Sequence, residues 1–232
     1  MLKREDKRDV VVMKTGSTYQ RLADLPAGSI VGTSSIRRTA QLARRYPHLK
    51  VENMRGNVGT RIAKLDAEDG PYACAILAAA GLLRLGLGSR ISQYLDSQNG
   101  GILYAVGQGA LGIEVRKHDT DILDILAKVG DSDTTLACLA ERSLLRTLEG
   151  GCSAPLGVET EWVQSGSERK LCMKSTVVSV DGSECADADI SSIVDSPGSA
   201  ESFGVTAGRE LVANGAGKIL EAIQRNKNVS AS

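Results

Sequence analysis

The chain has 232 residues, 42% of them apolar and 24% charged, with 28 Lys plus Arg balanced by 28 Asp plus Glu. These figures exclude wholesale disorder and a histone-like or polyacidic protein, and the length accommodates one or two domains. One Phe, one Trp and five Tyr are too few for the stacking platforms of single-strand nucleic-acid binders. In chain order, residues 29–33 read as a short buried strand. Ser34 or Ser35 then caps a helix that runs to about Tyr46, just before Pro47. A second strand is predicted over 49–53, then the turn Arg55-Gly56-Asn57 and a helix over 58–66. Residues 74–79 are a continuous apolar run bounded by Gly70-Pro71 and Gly81, as in a strand covered on both faces. Strand, helix, strand, helix, strand predicts a parallel α/β lobe.

A glycine-dense turn, Gly107-Gln108-Gly109-Ala110-Leu111-Gly112, leads into a predicted strand over 111–115. Helices over 119–129 and 133–148 follow, the second with Leu136, Leu139, Ala140, Leu144 and Leu148 on one stripe. Beyond Cys152 the pattern changes. Strands are predicted over 156–162 and 171–180 with a hairpin signal at Asp181-Gly182, then a helix over 205–224 interrupted at Gly215. These segments form a separate small α+β domain, with its boundary near Gly130.

The longest apolar run, residues 73–83, is far short of a membrane span, and the charged start Met1-Leu2-Lys3-Arg4-Glu5-Asp6 is unlike a signal peptide. Five widely spread cysteines without a CxxC pair argue against a disulfide framework and a thiolate zinc site. The expected setting is a reducing, cytoplasmic compartment. Charge is unevenly placed: residues 31–90 carry ten Lys/Arg against four Asp/Glu, and residues 91–232 carry twelve against twenty. A basic stretch on an otherwise acidic chain suggests a localised anionic ligand; solvated helix-face arginines are the competing explanation.

Three constellations could carry chemistry. In Gly32-Thr33-Ser34-Ser35-Ile36-Arg37-Arg38, three hydroxyls and a helix N-terminus can bind an anion, and two arginines there oppose the helix dipole unless an anion lies between them. In Arg55-Gly56-Asn57-Val58-Gly59-Thr60-Arg61, guanidinium forks again flank a turn after a strand, where open α/β sheets bind ligands. Arg84, in the turn after the third strand, would join them over one crevice. In Glu149-Gly150-Gly151-Cys152, a thiol sits in a Gly-Gly loop past a helix end, accessible but with neither His48 nor His118 to activate it. The other four cysteines lie in apolar or β contexts and are expected to be inert.

These motifs, with Ala105-Val106-Gly107-Gln108-Gly109-Ala110 between them, resemble in type and order the porphobilinogen deaminase (hydroxymethylbilane synthase) family. The resemblance implies a periplasmic-binding-protein-like, three-layer parallel α/β lobe plus a small α+β C-terminal domain. It implies condensation of four porphobilinogen molecules into hydroxymethylbilane, with release of ammonia, on the route to haem. It implies a dipyrromethane cofactor joined by a thioether to Cys152. The carboxylates of cofactor and substrate would be held by Thr33, Ser34, Ser35, Arg37, Arg38, Arg55, Asn57, Arg61 and Arg84, with Gln108 lining the cleft.

By the same resemblance, residues 1–103 form the second, anion-binding lobe, residues 104–129 return to a first lobe that is largely absent, and residues 130–232 carry the cofactor cysteine. The family's general acid/base aspartate would lie upstream, Asp6 and Asp9 being poor substitutes, so a truncated and poorly active chain is expected. Leu111, Ile113, Val115, Ile122, Ile125 and Leu126 would then expose an apolar patch and favour aggregation in a protein otherwise expected to be monomeric. The alternative is a non-enzymatic anion-binding module with no use for Cys152. Nucleic acid and membrane are not expected partners.

Overall fold

The computed structural model describes residues 1–148 and 154–230, the side chains of 165 and 226–230 excepted. Its first body is a five-stranded sheet in the order β3-β2-β4-β1-β5, formed by β1 (Asp9–Met13), β2 (Ile30–Gly32), β3 (Lys50–Glu52), β4 (Tyr72–Ala78) and β5 (Gln93–Leu95). β2 pairs in parallel with β3 and β4, as the strand–helix alternation predicts. β1 runs antiparallel to both β4 and β5, so the sheet is mixed rather than wholly parallel. No element was predicted over residues 9–13, although Val10-Val11-Val12 is a β-branched run and every residue of β1 is buried.

Burial on both faces defines three layers. Val11, Val31, Cys74 and Ile76 pack with Leu42 of α1 (Ile36–Arg45) on one side. Val10, Val12, Ala75 and Leu77 pack on the other with Leu65 of α2 (Val58–Asp66) and Leu82 of α3 (Ala79–Arg84). Ser35 caps α1 by accepting from the Arg38 backbone N–H, and Asn57 caps α2 by accepting from that of Thr60. Arg84 therefore ends a helix, not the turn first expected.

The second body is an antiparallel sheet in the order β6-β7-β8, made by β6 (Leu156–Ser165), β7 (Glu168–Val178) and β8 (Cys185–Ser192). It is covered by α5 (Ser132–Thr147) and α6 (Pro197–Ala213), with α7 (Ala216–Ser230) following. The α5 stripe is buried as its period predicts: Leu136, Ala140, Leu144 and Leu148 join the core, with Leu139 partly buried against it. The last two helices start earlier than predicted, at Pro197 behind a Ser196–Ser199 capping box, and break at Gly215 with φ +106°. β8 was not predicted. Its polar residues Asp187, Asp189 and Ser191 alternate with the more buried Ala186, Ala188 and Ile190, a pattern of one buried and one solvated face.

The predicted strand over 111–115 does not form. A strand needs a neighbouring ladder, and among the described residues only the Leu2 N–H reaches its backbone, at the Leu111 carbonyl (3.3 Å). Leu111, Ile113, Ile122 and Ile125 are exposed, with Val115 and Leu126 half-buried, so α4 (Thr120–Val129) turns an apolar face outward. Residues 1–7 run beside 109–111 and the second body instead of joining the first sheet.

Two interlocks join the bodies. Tyr104, fully buried, exchanges both backbone hydrogen bonds with Val158 (3.0 and 2.8 Å). The buried Glu141 carboxylate accepts two bonds from Arg4 (2.7 and 3.0 Å), one from the Gly107 N–H (2.7 Å) and one from the Thr160 hydroxyl (2.8 Å).

Candidate functional site

The carboxyl ends of β2, β3 and β4 open onto one edge of the sheet, where Thr33, Arg55 and α3 follow them. Because β1 is antiparallel to β4, its first residue, Asp9, lies at the same edge, paired in register with Ala78. This reversal decides the electrostatics of the site.

Arg37 and Arg38 are both buried, on the first turn of α1. The anion between them is Asp9: its Oδ2 accepts from Arg37 Nη1 and its Oδ1 from Arg38 Nη2, each at 2.7 Å. Arg37 Nη1 also donates to the Leu103 carbonyl (2.5 Å), and Arg38 Nη1 to that of Ile76 (2.7 Å). Burial by itself raises the Asp9 pKa, but the two guanidinium charges and their hydrogen bonds outweigh it and hold the carboxyl well below the usual carboxylate range. Two arginines on the first turn of a helix need an anion, and here the chain supplies it from its own β1. Held ionised, Asp9 is unsuited to general acid work near neutral pH. Asp6 is engaged by Arg8 (2.7 Å).

Gln108, expected to line the cleft, spends its amide N–H groups on Asp9 Oδ1 (2.9 Å) and the Lys7 carbonyl (2.8 Å). Its neighbour Gly109 accepts from Arg84 Nη2 (2.8 Å), so the exposed Arg84 reaches the same turn. Arg61 donates through Nε to the Gly56 carbonyl (2.8 Å), and partial burial followed by repulsion from Arg38 lowers its pKa. Arg37, Arg38 and Gln108 thus meet on one carboxylate, while Arg61 lies near enough to Arg38 to feel its charge and Arg84 reaches the turn that carries Gln108.

Thr33, Ser34 and Arg55 form a second group, lining a separate cavity of about 200 Å³ with Asn53. Val180, at the tip of the β7–β8 hairpin, closes the wall of that cavity from the other body. Ser35 and Asn57 act as helix caps here; Asn57 and Arg55 are exposed. Cys152 and its Gly-Gly loop lie outside the described residues.

Of the other thiols, Cys74 is buried and pushed up to about 12 by that burial, and Cys138 is also raised by burial. These two fit inert packing. Cys185 is exposed at the start of β8 and departs from it. From sequence Asp9 is named only as a poor acid/base substitute, and its role as counter-ion to Arg37 and Arg38 emerges once β1 is seen to run antiparallel to β4. The available signal was an acidic residue heading a β-branched run.

Two family models match the chain: "Porphobilinogen deaminase, dipyromethane cofactor binding domain" over residues 1–124 and "Porphobilinogen deaminase, C-terminal domain" over residues 135–213. Porphobilinogen deaminase of Candida albicans is 51% identical over 231 residues, covering 100% of this chain and 66% of the relative. That of Yarrowia lipolytica is 54% identical, covering 96% and 64%, and that of Saccharomyces cerevisiae 47% identical, covering 97% and 68%. The chain therefore spans about two thirds of the length of the curated relatives it matches. One family model covers more than half of the chain, and relatives about half identical run along nearly all of it, so the chain belongs to the porphobilinogen deaminase family.

Proposed function

We propose that the arginine-rich edge holds the carboxylates of a dipyrromethane primer and of porphobilinogen. The reaction would be the condensation of four porphobilinogen molecules into hydroxymethylbilane with release of ammonia. The observation that carries this reading is a surplus of donors. Asp9 neutralises one of the two charges on Arg37 and Arg38, and Arg55, Arg61 and Arg84 have no carboxylate within 4.0 Å among the described residues. Arg38 Nε is buried without a hydrogen-bond partner, so a ligand oxygen beside it would satisfy a donor that is costly to leave unmade. These features fit a polycarboxylate pyrrole, and the matched family model is the dipyrromethane cofactor-binding domain.

When bound, the dipyrromethane supplies the pyrrole carbon onto which the chain is extended. The polypeptide binds and orients. Arg61 and Arg84 offer outward guanidinium forks to acetate and propionate groups, and Thr33, Ser34 and Arg55 a second anchor nearby. Arg37 and Arg38 keep the local field positive while fixed on Asp9. Cys152 is the attachment point in this reading, within a reducing, cytoplasmic setting and a monomeric protein.

Asp6 is paired with Arg8 and Asp9 with two arginines, so neither is free for general acid/base duty, a role worth roughly 10²–10⁴-fold in rate. Intact-mass measurement of the purified chain is the direct test: a dipyrromethane adduct is expected that disappears in Cys152→Ser and persists in Cys74→Ser. An unmodified thiol with anion binding retained would instead favour a binding module. In calorimetric titration with a dipyrromethane polycarboxylate, Arg61→Ala and Arg84→Ala should each weaken binding by roughly tenfold or more, the scale of a lost hydrogen bond to a charged group. Unchanged affinity in both would contradict the site. Arg37 is a poorer probe than its motif suggests, because its removal disturbs a buried ion pair.

A further inference from the structure

We infer that the Lys7 ε-amine is a covalent attachment site for small aldehydes, formed by a cavity that the arginine-rich edge does not use. The cavity, about 410 Å³, is lined by Lys7 together with Arg4, Arg8, Asp133, Ala137, Thr160 and Trp162. Its size is that of a small-molecule site, and Trp162 and Ala137 give it apolar wall.

Three features of the fold make this amine unlike a surface lysine. Its Nζ donates to the Thr160 carbonyl, which fixes the nitrogen on β6 instead of leaving it in water. It sits 5.8 Å from the centroid of the Tyr104 ring, and the Arg4 guanidinium lies 5.3 Å from the same centroid, so two cations share one aromatic ring. No carboxylate lies within 4.0 Å of it among the described residues. The surrounding acids have other partners: Glu141 on α5 is held bidentately by Arg4, Glu159 on β6 by the Ser97 backbone N–H and hydroxyl, and, of the acids lining the cavity, Asp6 by Arg8, Asp133 by Arg169 and Glu5 by the Asp6 backbone N–H. Glu161 of β6 adds only a longer-range attraction. Burial first, and then Arg4, lowers the lysine pKa, and the attraction of Glu141, Glu161 and Glu159 opposes this without cancelling it. A larger share of the amine is therefore neutral, the form that attacks a carbonyl.

The step is imine formation. The Nζ lone pair adds to the aldehyde carbon, the proton passes to the carbonyl oxygen, and loss of water leaves a C=N bond. Cyanoborohydride then delivers hydride to the imine carbon and gives a stable secondary amine. A neutral aromatic aldehyde suits the Trp162 wall and carries no charge to steer it elsewhere.

The test treats the intact chain with benzaldehyde and cyanoborohydride near pH 7 and follows each lysine by peptide mass. Lys7 is expected to be labelled several-fold faster than the exposed Lys50, Lys117 and Lys128, because the cavity holds the aldehyde beside an amine that is more often neutral. Unfolding the chain in guanidinium should abolish the preference, and Lys7→Arg should remove that peptide's adduct while leaving the three controls unchanged. Equal labelling of Lys7 and the exposed lysines, no labelling of Lys7, or a preference that survives unfolding would each overturn the proposal.

Discussion

Asp9→Asn is expected to destabilise the chain by about 3–5 kcal/mol, the scale for removing one partner of a buried ion pair. The substitution keeps the shape and removes the charge that two buried guanidinium groups share at 2.7 Å. Asparagine can accept through one oxygen only, so one arginine keeps only its backbone carbonyl acceptor while both remain buried without a counter-charge. The effect should appear as a large fall in the urea midpoint at little changed slope. The acid limb is a second readout. A carboxyl whose folded pKa lies below its unfolded value contributes stability that is present above the unfolded value of about 3.9 and is lost as pH falls through the folded one. In Asp9→Asn that part of the acid dependence should disappear. A variant as stable as the parent, with the same acid limb, would show that Asp9 is not the anion that α1 requires.

Gly204→Ala is expected to cost about 3 kcal/mol, the upper range for forcing an extra carbon into a packed core. Gly204 lies inside α6, where a side chain would ordinarily help the helix, and it is there because α5 crosses against it. A methyl group at this position would fall on the Ala140 carbonyl oxygen, 2.7 Å from Ser143 Cβ and 2.9 Å from the Leu144 N–H nitrogen. Two of these three atoms belong to the α5 backbone, so the helices must separate and part of the second core opens with them. Thermal unfolding would show the loss. Gly198→Ala, on the first turn of the same helix with open space around it, should be close to neutral. Equal stability of the two variants would mean that α5 and α6 are not in backbone contact.

Much of the architecture was legible from local pattern. The β2–α1–β3–α2–β4 alternation and the α5 stripe follow from periodicity and capping residues that act within a few positions of each other. Ser35 and Asn57 cap the two helices whose starts they mark. The four motifs also led to the family, because long motifs in a fixed order are far more specific than any one of them. The segments misread from sequence depend on partners far along the chain. Residues 111–115 have strand composition but no neighbouring edge, whereas β8 has a largely polar composition and an edge at β7 that receives it.

The site divides in the same way. Sequence by itself placed Thr33, Arg55 and the starts of α1, α2 and α3 near the sheet edge, since each follows β2, β3 or β4 within a few residues. It also determined that two arginines on the first turn of α1 need a negative charge. Tertiary structure alone decided where that charge comes from: β1 lies antiparallel, bringing Asp9 to the edge from 28 residues upstream of Arg37, and Gln108 is drawn to the same carboxylate from 99 residues away. The physical reason is range. Hydrophobic period, helix caps and turn residues act over one or two turns and can be read locally. A buried charge is balanced by whatever group the folded chain places within about 3 Å of it, and strand direction is invisible in a five-residue strand built on three valines.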